Sequence, residues 1–147
     1  MAQTAAVPPM VNQTMKFILR SPLHGMVSKT TCLVTFTGRS SGKTYTTPVS
    51  YSHHGEEVRL FTHAEWWKNL RSGASVTLRL QGRDFQGRAE PVALDKTAIA
   101  AGLAAHLRQV PSNARWYHVK LDAQGSPDEA DVAQAVQTVV MICVRLC

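Results

Sequence analysis

The sequence predicts an α+β fold, in which about six mostly antiparallel strands form a small barrel with short flanking helices. Six segments have the β-branched, aromatic and apolar composition of strands, and most are separated by turns of hairpin length. Helical segments are inserted among these strands without the regular alternation of a doubly wound sheet. The mostly meander order therefore favours an antiparallel barrel.

The composition predicts one domain that follows a short tail. The chain has 147 residues, of which 44% are hydrophobic and 18% charged, as is typical of a globular protein. We expect a flexible tail at residues 1–10 and a single domain at residues 11–147. The net charge of +6 favours an anionic partner, such as a phosphorylated cofactor or an acidic membrane surface. A nucleic-acid partner is not expected, because helix-turn-helix, zinc-finger and RNP patterns are missing.

The first half of the domain is predicted to contain one helix and three strands. Apolar residues at helical spacing predict a short helix at Val11–Leu19, which Ser21-Pro22 ends. Strands are predicted at Cys32–Thr37, Tyr45–Ser52 and Val58–Thr62. A polar turn around His53-His54-Gly55-Glu56 joins the last two strands as a hairpin.

A short helix is predicted after the third strand. Thr62 and Glu65 have the spacing of a capping box, so a helix should run through Trp66, Trp67 and Leu70 and end near Gly73. Adjacent helical residues point about 100° apart. We therefore expect one tryptophan to enter the core and the other to face a pocket.

Strands are predicted again at Ser75–Leu80 and Phe85–Leu94. Gly82 lies in the intervening turn, and Gly87 is a candidate for a β-bulge.

Two helices and a last strand complete the domain. Asp95 is predicted to be the N-cap of a helix with an apolar stripe at Ile99, Leu103, Leu107 and Val110. Ser126, followed by Pro127 at the first helical position, predicts a second helix that runs to about Gln137. The apolar segment Val139–Leu146 is predicted to pair in the centre of the sheet.

The loop Gly38–Thr44 has the composition of a phosphate-binding turn. It is not a Walker P-loop, because three residues instead of four separate its glycines and because the following segment contains Pro48 and strand residues. Its backbone amides, together with Arg39 and Lys43, are candidates for binding an anion. An ordinary hairpin loop with solvated charges is the alternative.

Cysteine and histidine usage favours neither disulfides nor a metal site. The three cysteines, Cys32, Cys143 and Cys147, are odd in number and form no CxxC pair, which predicts reduced thiols and a cytoplasmic protein. The six histidines lack the spacing of metal ligands. No apolar stretch approaches the roughly 18 to 20 residues that span a bilayer, and no secretory signal is evident.

Three motifs in order resemble the deazaflavin-dependent nitroreductase family. They are Thr37-Gly38-Arg39-Ser40-Ser41-Gly42, Thr47-Pro48-Val49 and Trp66-Trp67-Lys68-Asn69-Leu70. The resemblance implies a split β-barrel related to flavin-binding reductases. It also implies hydride transfer from reduced coenzyme F420, whose tail carries a phosphate and glutamates, to a quinone, a nitro compound or an activated alkene.

The resemblance places the cofactor at the loop, the strand that follows it and the tryptophan segment. The candidate cofactor-binding residues are Thr37, Gly38, Arg39, Ser40, Ser41, Gly42, Lys43, Thr47, Pro48, Val49, His63, Trp67, Lys68 and Asn69. His63 belongs to this set because free amides near a helix start favour anions.

A reductase of this kind needs orientation and a nearby hydrogen-bond donor but no nucleophile or metal. The candidate donors are Tyr51 or Ser50, at the end of the second strand, and Tyr117, in the C-terminal segment. Half-buried packing is the alternative role for each tyrosine.

Two other ligands stay open, because basic residues that family members often carry are replaced by Ser40 and Tyr45. The first is FMN, bound by a protein of the same fold. The second is a fatty-acid-like molecule, held by a non-catalytic barrel. The N-terminal helix is expected to cover one end of the barrel or to contact a membrane, and a homodimer is also open.

Overall fold

Six strands close into an antiparallel barrel. The computed structural model describes residues 30–147, so the predicted tail and the predicted helix Val11–Leu19 lie outside the described residues. The strands are β1 (Thr31–Thr37), β2 (Thr44–His54), β3 (Glu57–Thr62), β4 (Ala74–Leu80), β5 (Arg83–Val92) and β6 (Val140–Leu146). Their order around the barrel is β1-β2-β3-β6-β5-β4, and pairing of β4 with β1 closes it. The structure confirms the predicted fold, and every predicted strand matches an observed one to within two residues at each end.

Two α-helices and two 3₁₀ helices connect the strands. They are the first 3₁₀ helix (Glu65–Leu70), α1 (Lys96–Gln109), the second 3₁₀ helix (Pro111–Tyr117) and α2 (Glu129–Ala135). Asp95 caps α1 as predicted, since its carboxylate accepts a hydrogen bond from the Ala98 amide at 3.0 Å. Among the described residues, no helix has the length and apolar character needed to cross a membrane.

Two of the predicted helix starts are wrong in detail. No capping box forms at the first 3₁₀ helix, because the Thr62 hydroxyl accepts from the Ala64 amide and Glu65 pairs with Lys68. The cap of α2 is Asp128 rather than Ser126. Asp128 accepts a hydrogen bond from the Asp131 amide, whereas Pro127 pairs with Leu121 in an isolated bridge before the helix begins.

Side chains of the strands are divided between two cores. Successive residues of a strand point to opposite faces, so Leu60 enters the barrel interior and Phe61 faces α1. The interior is filled mainly by aliphatic and aromatic side chains from all six strands, and Trp66 and Leu70 of the first 3₁₀ helix belong to the same core. The second core lies outside the barrel, where α1 and α2 pack on residues such as Phe61 and Met141.

Gly87 forms no bulge, because β5 keeps continuous register with both neighbours at this residue. It pairs with Val76 of β4 and with Leu146 of β6. A Cβ atom here would lie 2.6 Å from Cγ1 of Val144 and 3.0 Å from the carbonyl oxygen of Arg145. The glycine therefore allows close packing, and the sequence signal for a bulge was wrong.

We expect Gly87→Ala to lower the free energy of unfolding by about 1 to 3 kcal/mol. The clash with a buried β-branched side chain and a backbone oxygen outweighs the gain of about 0.5 to 1 kcal/mol that alanine usually brings over glycine in a strand. Urea unfolding monitored by circular dichroism measures the difference. Gln86→Ala, at the exposed neighbouring position, is the control and should change stability far less. A neutral or stabilising Gly87→Ala would contradict this account of the close contact.

Candidate functional site

The loop Gly38–Lys43 joins β1 to β2 and is folded tightly on itself. The Gly38 amide donates to the Lys43 carbonyl at 2.8 Å, and the Gly42 amide donates to the Gly38 carbonyl at 2.9 Å. Gly42 has φ +71°, a conformation that glycine adopts without strain. A side chain at position 38 would clash with the Tyr45 ring, 2.7 Å from the Cβ position.

The loop does not present its amides as an anion nest, contrary to the sequence expectation. Besides the two glycine amides, the Lys43 amide donates to the Ser41 hydroxyl oxygen at 3.2 Å, and the Arg39 amide donates to Oδ1 of Asn69 at 3.0 Å. Four amides are thus already used within the protein. Recognition of an anion at this loop must rely chiefly on side chains.

Asn69 joins the loop to the first 3₁₀ helix. Its Oδ1 accepts from Arg39, and its Nδ2 donates to the carbonyl oxygen of Trp66 at 2.9 Å. Arg39 adds a second link, because its Nη1 donates to the carbonyl oxygen of Arg71 at 3.3 Å. The predicted residues of the loop and of the tryptophan segment therefore lie side by side.

Five cationic side chains lie close to one another in the fold. They come from this loop, from the first 3₁₀ helix and the residue that follows it, and from β5. We call them the basic face: Arg39, Lys43, Lys68, Arg71 and Arg88. Arg88 reaches it from β5, because a Cβ at Gly73 would lie 2.6 Å from Nη2 of Arg88. Among the described residues, only Lys68 of this set forms a salt bridge, to Glu65. The other four cations have no carboxylate partner in that part of the chain, which makes the basic face suited to a multiply charged anion.

The two tryptophans differ in burial, and the prediction that one of them enters the core is met by Trp66, whereas contact of Trp67 with a pocket stays a prediction. Trp66 is buried and stacks on Phe36, with ring centroids 5.3 Å apart. Trp67 is partly exposed, and the guanidinium of Arg71 lies over its ring at 5.3 Å from the centroid. Trp67 thus lies beside the basic face.

Other predicted residues point into the barrel. Thr47 and Val49 alternate with Pro48 along β2 and lie opposite the interior residues Val34 and Cys32 of β1. The hydroxyl of Thr47 is buried and has no hydrogen-bond partner among the described residues. Tyr51 is also in the interior, where it accepts a hydrogen bond of 3.4 Å from the Gln81 amide group and where burial raises its pKa. Contact of these side chains with a cofactor stays a prediction.

Ser50, His63 and Tyr117 come together outside the barrel, beside α1 and the second 3₁₀ helix. The rings of His63 and Tyr117 stack at 5.6 Å between centroids, and Nδ1 of His63 lies 3.4 Å from the Thr138 hydroxyl. Burial raises the pKa of Tyr117 to about 12, and a hydrogen bond with Ser50 opposes this rise only in part. We call Ser50, His63, Tyr117 and Thr138 the tyrosine cluster. Its Tyr117 hydroxyl stays protonated and able to donate a hydrogen bond across the physiological pH range.

His106 of α1 supports the tyrosine cluster from inside the second core. It is fully buried, and its ring meets that of Tyr117 edge-on at 6.4 Å. Its Nε2 is 3.1 Å from Oδ1 of Asn113, whereas its Nδ1 has no partner among the described residues. Burial lowers the pKa of His106 to about 4, so the ring is neutral near pH 7.

A pocket of about 400 Å³ opens beside the tyrosine cluster. It is lined by His63, Trp116, Tyr117, His118, Asp131, Gln134, Ala135 and Thr138. Two aromatic side chains, two histidines, one carboxylate and two neutral hydrogen-bonding side chains make up most of this lining, which suits a small planar molecule with polar atoms. Within residues 30–147, no group of three or more His, Cys, Asp or Glu side chains could hold a metal ion.

The model of the F420H2-dependent quinone reductase family matches residues 21–124. The chain belongs to this family. It is therefore an oxidoreductase of a family that uses reduced F420, and the resemblance found in the sequence is confirmed. A comparison with curated proteins gave no match.

Solved structures of other proteins share the fold of this chain. A conserved hypothetical protein from Mycobacterium tuberculosis is similar, with 18% identity, a TM-score of 0.56, and coverage of 84% of this chain and 76% of the other. A protein of unknown function from Agrobacterium tumefaciens shows 14% identity and a TM-score of 0.55, with 88% of this chain covered. This chain spans 56% of the Agrobacterium protein's length. An FAD and heme binding protein from Mycobacterium smegmatis shows 12% identity and a TM-score of 0.51, with 87% and 67% covered.

Sequence reasoning missed three residues that belong to or contact the basic face, the tyrosine cluster and its pocket. Arg88 joins the basic face only through its contact at Gly73, and no local sequence pattern predicts this contact. His106 appeared as one of several histidines without metal spacing, and its burial depends on the packing of α1. Trp116 lines the pocket, but its exposure could not be inferred from its position beside Tyr117.

We expect acid pH to destabilise the protein partly through His106. The folded pKa of about 4 lies below the usual 6.5, so the unfolded chain takes up this proton first as the pH falls. The associated stability is full above about pH 6.5 and is lost between about pH 6.5 and 4, by up to about 3 kcal/mol.

Two measurements test the role of His106. An NMR titration of its ring protons should give a midpoint near 4, and a midpoint near 6.5 would contradict the buried neutral state. Urea unfolding at pH 7 and at about pH 4.5 should show a smaller pH dependence in His106→Gln than in the wild type. Glu57 and His54 also have lowered pKa values, but they are present in the wild type and in His106→Gln. The comparison of the two proteins therefore removes their contributions to the pH dependence.

Proposed function

We propose that this member of the F420H2-dependent quinone reductase family holds the anionic tail of reduced F420 on the basic face. The quinone that accepts the hydride binds beside the tyrosine cluster. The observation that carries this proposal is the set of four cations around the loop Gly38–Lys43 that have no carboxylate partner within residues 30–147.

The donor set of the basic face fits the tail of the deazaflavin. Guanidinium and ammonium groups form their strongest hydrogen bonds with phosphate and carboxylate oxygens, the two groups present in that tail. Asn69 positions Arg39 for this binding, because its two hydrogen bonds, with the Arg39 amide and the Trp66 carbonyl, keep Arg39 beside the first 3₁₀ helix. Four of the six loop amides are used internally, so the side chains of Arg39, Lys43 and Arg71 supply most of the contacts.

The tyrosine cluster fits a neutral acceptor that gains a hydride and a proton. Bound in its reduced form, the deazaflavin supplies the hydride. A quinone that takes up one hydride and one proton becomes a hydroquinone, so a hydrogen-bond donor to its carbonyl oxygen favours the reaction. The Tyr117 hydroxyl keeps its proton, because its pKa is about 12. Ser50 orients this hydroxyl, and His63 covers the Tyr117 ring.

The quinone is proposed as the acceptor in preference to a nitro compound or an activated alkene. The pocket beside Tyr117 is lined by aromatic rings, which pack well on a planar ring, and by groups that can donate hydrogen bonds to its carbonyl oxygens. The cytoplasmic location, a homodimer and contact of the N-terminal helix with a membrane stay predictions.

We expect Arg39→Ala to weaken F420 binding by about tenfold or more, because a charge-assisted hydrogen bond to the tail is lost. Fluorescence titration with F420 measures the dissociation constant. Arg108→Ala is the control, since Arg108 is an exposed cation on α1 outside the basic face. Equal effects of the two substitutions would contradict the placement of the tail.

The same titration at increasing salt separates the three candidate ligands. Exposed charges are screened over about 8 Å at physiological ionic strength, so affinity for F420 should fall steeply with salt. FMN, with a single phosphate, should show a smaller decline. A fatty acid should bind equally well or better at high salt, because its binding depends on burial of hydrocarbon. Tight, salt-independent binding of a fatty acid with no F420 binding would contradict the reductase proposal.

We expect Tyr117→Phe to lower kcat for quinone reduction by about tenfold to a hundredfold while F420 affinity stays within about twofold, since a single hydrogen bond to developing negative charge is typically worth that much or more. Stopped-flow oxidation of F420H2 measures the rate. Tyr51→Phe is the matched control, because Tyr51 lies in the barrel interior. A larger loss in Tyr51→Phe than in Tyr117→Phe would move the donor to the interior.

A further inference from the structure

A buried polar pair lies behind Tyr117. His106 of α1 and Asn113 of the second 3₁₀ helix are 0% and 5% exposed, and a hydrogen bond of 3.1 Å joins their side chains. Oδ1 of an amide can only accept, so Nε2 of His106 carries the proton and Nδ1 is left as an acceptor. That nitrogen has no partner within residues 30–147. The hydrogen-bonding capacity of the pair is therefore only partly satisfied.

Stability alone does not explain this pair. A buried acceptor without a partner has lost its hydrogen bond to water, which destabilises the folded state. Two apolar residues of similar total volume, such as leucine and alanine, would remove both polar partners and are expected to be at least as stable. Proteins keep such unfavourable groups mainly at functional sites. The partly satisfied pair therefore indicates a functional role.

The His106 ring contacts both Tyr117 and the strand that carries the partner of Ser50. Its centroid is 4.8 Å from that of Phe61 and 6.4 Å from that of Tyr117, which it meets edge-on. Phe61 lies directly opposite Ser50 in the pairing of β2 with β3, and Ser50 hydrogen bonds with Tyr117. The ring therefore supports Tyr117 close to the strand position at which its hydroxyl is held.

Asn113 links this ring to the helix that carries Tyr117. The backbone already attaches the start of the second 3₁₀ helix to α1. The Val110 amide donates to the His106 carbonyl oxygen at 2.7 Å, and the Asn113 amide donates to the Val110 carbonyl oxygen at 3.0 Å. The hydrogen bond between the two side chains adds a third link, nearer to Tyr117. The orientation of this helix relative to α1, and with it the position of Tyr117, depends on the pair.

We infer that His106 and Asn113 are positioning residues, which hold the Tyr117 hydroxyl at Ser50 and beside the adjoining pocket. The inference rests on the proposed function, because it takes Tyr117 as the hydrogen-bond donor to the acceptor. A donor must lie where negative charge develops, and a displacement of about 1 Å can lower a rate about a hundredfold. His63, which stacks on the Tyr117 ring, is itself exposed. The buried pair therefore supplies the fixed support.

Two variants separate positioning from stability. The double variant His106→Leu/Asn113→Ala should keep or raise the wild-type Tm, because both polar partners are removed. It should lower kcat for reduction of tetramethyl-1,4-benzoquinone by F420H2 about ten- to hundredfold, with KM and F420 affinity within about threefold. His106→Gln keeps a donor to Asn113 and should stay within about threefold of the wild-type kcat. His53→Gln, at an exposed histidine outside the pocket lining, is the matched control and should change neither kcat nor KM.

NMR spectroscopy gives two measurements that need neither cofactor nor acceptor. In the wild type near pH 7, ¹⁵N spectra of the His106 ring should show a protonated Nε2 and an unprotonated Nδ1. Protonation at Nδ1 instead would overturn the inference. Exchange of the Tyr117 hydroxyl proton with solvent, followed in protein with ¹³C-labelled tyrosine, should be slow in the wild type and in His106→Gln. It should be at least about tenfold faster in the double variant, and equal rates would contradict positioning by the pair.

The outcomes separate the inference from the function on which it rests. If the wild type oxidises F420H2 with the quinone and the double variant keeps the wild-type kcat, the positioning role is wrong and the reductase function stands. A His106→Gln variant as slow as the double variant would also overturn the inference, since the link to Asn113 would then have no effect. A double variant that unfolds would contradict the argument from stability. If the wild type does not oxidise F420H2, the proposed function fails, and hydroxyl exchange alone decides whether the pair holds Tyr117.

Discussion

Closure of the barrel by β1 and β4 determines where the functional elements meet. The two strands are antiparallel, with Leu33 opposite Arg79 and Thr35 opposite Thr77. The end of β1 therefore lies beside the start of β4. The loop that leaves β1 and the 3₁₀ helix that enters β4 are adjacent as a direct consequence, and the hydrogen bonds of Asn69 fasten them together. The basic face depends on this one pairing, because its cations come from segments that are far apart in sequence, from Arg39 to Arg88.

Strand β2 divides the predicted site residues between two environments. Thr47, Val49 and Tyr51 point into the barrel, whereas Ser50 points outward to Tyr117. The sequence offered Ser50 and Tyr51 as alternatives, because adjacent residues of a strand cannot be assigned to faces until the strand's neighbours are known. The aromatic side chain of Tyr51 lies in the interior, where it fills volume, and the small hydroxyl of Ser50 makes the polar contact on the outer face.

Local chemistry predicted the parts of the fold that depend on neighbours in sequence. Strand composition and turn glycines located all six strands, and the carboxylate of Asp95 correctly indicated the start of α1. The capping box failed because Thr62 belongs to β3, where its hydroxyl reaches the nearer amide of Ala64. Contacts between distant segments were beyond such reasoning. The contact of Arg88 at Gly73 and the burial of His106 arise only when the barrel closes and α1 packs on it.

The two functional regions differ in the physics that each requires. The basic face is exposed, so its cations stay hydrated and can exchange water for an anion at small cost. The tyrosine cluster is backed by a core in which burial keeps both Tyr117 and His106 neutral. The carboxylate of Asp131 belongs to the pocket lining and accepts a hydrogen bond from the Lys120 amide at 3.0 Å, which holds its negative charge in place. In the proposed function, a pocket lined by the neutral Tyr117 and by the carboxylate of Asp131 suits an uncharged acceptor better than an anionic one, and the charge of the cofactor is balanced elsewhere, at the loop and the 3₁₀ helix.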